Sequence, residues 1–193
     1  MPTTSPKPWP SNPPKLPETV AIIGAGPLGR WLALTAANAG FAVLLEDVMP
    51  ASLHHAQELL RCQLGPQALP NVAFVSTIED AVCNADLVID CVPDELESKL
   101  EILWLLDRMA PPRAVFATPT TRLSIADLAN CTYRPGKCIA IAAEAGTLAA
   151  APSAGAEILL RTTARTALES IALLDRFWRR LGFIPRFNCD PDE

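Results

Sequence analysis

The chain has 193 residues, half of them apolar, enough for one domain with a substantial core, and its net charge of −5 leaves no basic footprint for nucleic acid or an anionic membrane surface. The six cysteines (Cys62, Cys83, Cys91, Cys131, Cys138, Cys189) form no C-x-x-C pair and the two histidines, His54 and His55, are adjacent, so no metal site is expected. Thiols set in apolar runs, such as Cys91 in Leu87-Val-Ile-Asp-Cys-Val92, suit a reducing, cytoplasmic compartment, and no apolar run reaches the ~20 residues that span a bilayer.

Residues 1–17 carry seven prolines and read as a disordered or polyproline-like leader with no assigned role; one folded domain is expected over 18–189. Residues 19–23 form a short apolar run, Gly24-Ala-Gly-Pro-Leu-Gly29 follows at once, and 30–39 are strong helix formers stopped by Gly40. A second β run over 41–45 ends on Glu46-Asp47 and completes a βαβ unit of about 30 residues. Helices are then expected over 51–64, 78–82, 95–109 and 124–130, alternating with strands over 72–76, 86–92, 114–118 and 138–143. Leu168, Ile171, Leu174, Trp178 and Leu181 recur at helical spacing and predict a last helix over 163–181, before a final strand over 183–187. This alternation predicts an α/β fold: a Rossmann-type doubly wound, mainly parallel sheet with helices on both faces.

The glycine loop carries chemistry because of where it lies, between a strand and a helix. Gly24 permits the tight turn, Gly26 lets the backbone approach a pyrophosphate, and Gly29 lets the helix pack closely, so that the anion rests on the positive end of the helix at Leu28. Pro27 suits the first helical position but has no N–H to offer a phosphate oxygen. The bland alternative is a tight turn and nothing more. Asp47, about 20 residues past the loop, accepts hydrogen bonds from the adenosine ribose hydroxyls and repels a 2′-phosphate, which favours NAD over NADP. Glu46 takes that place only if the strand ends one residue sooner, since alternation points the two side chains oppositely.

Three blocks in order extend the reading: the loop from Val20 to Gly29, Asp86-Leu-Val-Ile-Asp-Cys-Val-Pro-Asp-Glu-Leu-Glu-Ser-Lys99, and Thr118-Pro-Thr-Thr-Arg-Leu-Ser-Ile125. Over residues 18–189 the chain resembles the NAD-binding domain of the L-3-hydroxyacyl-CoA dehydrogenase family, whose corresponding blocks read "DLVIEAVPENLELK" and "TNTSSLSI". The resemblance implies NAD as cofactor and fatty-acid metabolism as setting. It places Val92, Pro93 and Thr120 along the cofactor, Asp94 near the nicotinamide ribose and Lys99 near cofactor and substrate. The alternatives are that Asp94 caps the following helix and that Lys99 is a solvated helix residue.

The same resemblance marks what is missing. Counted without gaps from Thr121, which stands at the family's active-site serine, the catalytic histidine position falls on Ala142. Ala145 and Pro119 replace two family asparagines, and Glu157 stands at or near the glutamate that orients the histidine. Thr121, Glu144 and Glu157 are the remaining candidate catalytic residues, with Arg122 as a further polar group at the rim and Lys99 as a further proton carrier; Glu144 reads first as a loop carboxylate in water, because charged residues are mostly exposed. The family's helical C-terminal domain is also expected to be absent. The implied function is an NAD(H)-binding protein without normal dehydrogenase activity, self-associating through the surface that domain would cover. The alternative is an active oxidoreductase on a hydroxyacyl-CoA or a small hydroxy or keto acid, using a substitute acid–base group or a partner chain.

Overall fold

The computed structural model describes residues 19–142 and 155–190; the proline-rich stretch 1–17, Glu144 and Ala145 lie outside the described residues. The first half alternates β1 (Thr19–Ile23), α1 (Pro27–Asn38), β2 (Ala42–Glu46), α2 (Pro50–Gln63), β3 (Val72–Val75), α3 (Ile78–Val82) and β4 (Leu87–Asp90). The second half continues with α4 (Leu96–Met109), β5 (Val115–Pro119), α5 (Ile125–Asn130), β6 (Cys138–Ile141), β7 (Glu157–Thr162), α6 (Leu168–Arg180) and β8 (Ile184–Cys189).

The strands form one sheet in the order β3-β2-β1-β4-β5-β6-β7-β8. From β3 to β6 every pair is parallel; β7 runs antiparallel to β6, and β8 lies parallel to β7. All four residues of β4 are buried, as are all five of β5, because helices cover both faces. On one face Leu28, Leu32 and Ala36 of α1, Ala56 and Leu60 of α2, and Leu174, Phe177 and Trp178 of α6 meet Ile22, Leu45, Ile89 and Leu160 of the sheet. On the other, Val82 of α3, Leu103 and Leu106 of α4 and Leu128 of α5 cover Ala21, Val88, Phe116 and Ala140. Phe41, Phe177, Trp178 and Phe183 stack successively with ring centroids 5.3 Å apart, fixing α6 to the sheet through aromatic pairs of about 1 kcal/mol each.

Two elements differ from the sequence reading. Helix α6 begins at Leu168 rather than at residue 163, because Thr163 and Thr166 close a turn of their own: Thr163 N–H donates to Thr166 Oγ1 at 2.9 Å and Thr166 N–H to the Thr163 carbonyl at 3.0 Å. Strand β7, which the sequence reading left unassigned, reverses the sheet direction next to β6.

Candidate functional site

The parallel strands β1, β2, β4, β5 and β6 end at one edge of the sheet, and the strand order reverses between β1 and β4, where the outgoing loops part and leave a crevice. Gly24 leaves β1 at φ +101°, a backbone conformation that side chains rarely adopt. A Cβ on Gly29 would stand 1.8 Å from the Gly24 carbonyl oxygen, so only glycine lets α1 pack against the loop. A Cβ on Gly26 would meet nothing within 4 Å, so this glycine borders open space. Helix α1 starts at Pro27 with Gly26 as its N-cap; no side chain caps it and no acidic residue occupies its first turn, which leaves the helix end for an anion.

Asp47 stands immediately past β2, its Oδ2 accepting from Ala25 N–H and its Oδ1 from Met49 N–H, both at 2.8 Å. Each oxygen keeps acceptor capacity for a hydroxyl. Arg30 donates from Nη1 to the Ala25 carbonyl at 2.9 Å, so both backbone polar groups of Ala25 are held by side chains. Glu46, the last residue of β2, is only 4% exposed. Burial, and after it the negative charge of Asp47, raise its pKa from the usual carboxylate range to about 7.

The crevice's other half is built by the loops after β4 and β5. Asp94 Oδ2 accepts from Thr121 N–H at 3.3 Å, Arg122 Nη2 reaches the Asp94 carbonyl at 3.4 Å, and Asp94 Oδ1 is buried with no hydrogen-bond partner. Glu95, not Asp94, is the N-cap of α4, so Asp94 is not spent on the helix. Lys99 is not a solvated helix residue: it is wholly buried, its Nζ 2.5 Å from Oδ1 of Asp90 at the end of β4. Burial raises the Asp90 carboxyl's pKa against the opposing pull of the Lys99 ammonium. Thr120 is buried and its Oγ1 accepts from Leu123 N–H at 3.1 Å; Val92 packs against the core beneath α4, and Pro93 is exposed.

Ala142 follows β6, and its N–H donates to the Leu159 carbonyl at 2.9 Å. With Ile141 paired to Leu160, Leu159 is the residue across the ladder from Ala142. Glu157 lies two residues farther along β7, exposed and held by Arg186, whose Nε and Nη2 donate to its Oε1 at 3.0 and 2.8 Å. Burial pushes the thiols of Cys91 and Cys138 up, Cys138 to about 12, so neither offers a thiolate near neutral pH. His54 and His55 are exposed on α2, His54 beside Glu58 at 3.4 Å. Among the described residues no group of three or more His, Cys, Asp or Glu is placed to hold a metal ion.

The sequence reading missed Arg161, because it missed β7. Arg161 Nη2 donates to the carbonyls of Thr120 and Leu123 at 3.1 and 3.0 Å while Nη1 meets Asp190 at 3.1 Å, so this one side chain holds the turn that presents Thr121 and Arg122. Hydrophobic alternation through Ile158, Leu160 and Thr162 was the available signal for the strand.

Gly26 bordering open space, a helix end without a capping side chain, a carboxylate held at Asp47 and a buried, unsatisfied acceptor at Asp94 lie past the carboxyl ends of β1, β2 and β4, where open α/β sheets bind their ligands. Residues 19–142 match the family described as 3-hydroxyacyl-CoA dehydrogenase, NAD binding domain. A probable 3-hydroxybutyryl-CoA dehydrogenase of Bacillus subtilis is 32% identical over 133 residues, 62% of this chain and 46% of that protein. An L-carnitine dehydrogenase of Burkholderia mallei is 36% identical over 132 residues, 63% of this chain and 41% of that protein. The alignments thus span less than half the length of these curated relatives. The solved structure of (S)-3-hydroxybutyryl-CoA dehydrogenase from Ralstonia eutropha superposes with a TM-score of 0.80 at 21% identity over 90% of this chain and 64% of that one, a likeness of fold. No helix among the described residues is long and apolar enough to cross a membrane.

Proposed function

Because the chain belongs to the 3-hydroxyacyl-CoA dehydrogenase family and carries its NAD-binding domain, we propose that it holds NAD(H) in the crevice between β1 and β4 and does not perform the family's usual dehydrogenation. Gly24, Gly26, Pro27, Leu28 and Gly29 would take the pyrophosphate, Asp47 the adenosine ribose, and Val92, Pro93, Asp94 and Thr120 the nicotinamide side. Lys99 acts there from below, through Asp90. When bound, NAD accepts or donates hydride, and that transfer needs a partner for the hydroxyl proton.

The observation that carries the reading is the pair Ala142 and Leu159. Just past β6 stands the methyl group of Ala142, the position at which the resemblance, counted without gaps from Thr121, puts the family's base, and an aliphatic side chain stands across the ladder from it. Neither moves a proton, and Glu157 is bound by Arg186. The protein then serves as an NAD(H)-responsive module, in a reducing cytoplasm that suits its six free cysteines, with self-association to be read from sedimentation.

A second reading rests on Thr121, whose exposed position beside Asp94 and Arg122 presents a hydroxyl and a guanidinium at the crevice mouth. In it, the chain reduces a ketoacyl-CoA or a small keto acid, with another chain or Glu144 supplying the proton. Calorimetric titration with NAD and NADH, followed by NADH consumption with acetoacetyl-CoA and short keto acids, separates the two. Binding without turnover supports the module. Turnover abolished by Thr121→Ala or Glu144→Ala supports the enzyme.

A further inference from the structure

Pro27 removes one donor from the place where a dinucleotide's pyrophosphate meets its helix. Nothing in the first turn otherwise adjusts the charge there: Gly26 has no side chain, and no acidic residue is present. One turn further, Arg30 folds back along α1 so that its Nη1 lies 2.9 Å from the Ala25 carbonyl oxygen, one residue before Gly26. Arg30 is half-buried, and among the described residues no carboxylate pairs with it. A guanidinium has five N–H donors in a planar fork that matches phosphate oxygens, and a single carbonyl occupies one of them.

We propose that Arg30 is a pyrophosphate ligand of the bound cofactor, supplying at the loop mouth the positive charge and the donors that Pro27 withholds. The proposal rests on the reading of the crevice as the NAD(H) site. It differs from a splinting role, in which Arg30 only holds the Ala25 carbonyl and so shapes the loop for every ligand alike. A pyrophosphate ligand acts on phosphorylated ligands alone, and its contribution weakens with salt. Loss of a charge-assisted fork to phosphate weakens binding about tenfold or more.

The test titrates the full chain with NADH, ADP-ribose and adenosine. For Arg30→Gln the proposal expects NADH and ADP-ribose affinity to fall about tenfold and adenosine affinity to hold within about twofold, with a weaker salt dependence for the first two; Arg30→Lys recovers much of the loss. In a Pro27→Ala background, which restores an N–H, the cost of Arg30→Gln shrinks. Equal losses for adenosine and ADP-ribose would overturn the proposal in favour of the splint, and undiminished ADP-ribose affinity in a variant whose thermal melt matches the parent would overturn both. If the parent chain binds neither NADH nor ADP-ribose, the site reading itself fails, a result separate from any behaviour of Arg30.

Discussion

The two halves of the crevice are built by different means. Around Gly24, Gly29 and Asp47 the site is backbone geometry: a positive φ, an approach that no Cβ can enter, and a carboxylate clamped by two N–H groups. Around Asp90, Asp94 and Ala142 it is side-chain chemistry: a buried ion pair, an unsatisfied carboxylate oxygen, and a methyl group at the end of β6. Geometry of the first kind is set by the backbone and, on the proposed reading, holds the cofactor. Chemistry of the second kind decides whether the cofactor reacts, and a few substitutions are enough to change it.

The largest effect is expected from the second half. Lys99→Met strips the buried Asp90 carboxyl of its counter-charge and costs about 3–5 kcal/mol in urea unfolding, whereas pairing it with Asp90→Asn recovers most of that loss. An equal cost in the single and double variants would contradict a buried ion pair. Gly29→Ala, which drives a methyl group into the Gly24 carbonyl, costs about 3 kcal/mol, read as a lowered melting temperature together with weakened NADH binding. Gly26→Ala, by contrast, leaves the melting temperature within a degree or so and weakens only binding, because its methyl group enters open space.

These contrasts also mark what could be read from the sequence. The loop was legible because Gly24 and Gly29 answer steric demands that the strand–turn–helix context sets, and because Asp47 follows at the spacing of the dinucleotide fingerprint. The sheet up to β6 was legible because buried parallel strands are short apolar runs. Strand β7 was not, since its order comes from pairing with Ile141 and with β8, distant in sequence, and Arg161 was lost with it. Lys99 defeated the reading for another reason: lysine is ordinarily exposed, and only the fold brings Asp90 beneath it. Glu46, read from alternation as pointing away from Asp47, is buried at the end of β2.

A pH dependence follows from Glu46. Its folded pKa of about 7 lies above the unfolded carboxylate value, so between pH ~4.5 and ~7 the folded chain binds the extra proton. Its contribution therefore falls as pH rises through that window, by about 3 kcal/mol, and levels off above pH ~7. Glu46→Gln should flatten that part of the stability–pH profile; an unchanged slope would place its cause elsewhere. Smallest is Asp47→Asn, expected to weaken NADH binding about tenfold while narrowing the preference over NADPH, as two parallel titrations would measure.

The contrast between the halves is tested most directly by one paired measurement on the full chain: calorimetric affinity for NADH, then the rate of NADH consumption with acetoacetyl-CoA at saturating cofactor. The expected result is saturable binding with no turnover above the uncatalysed rate, since Ala142 offers no base and Leu159 supports none. Turnover that survives in the chain alone would contradict it and would place a working acid–base group at the end of β6 or in the turn at Thr121.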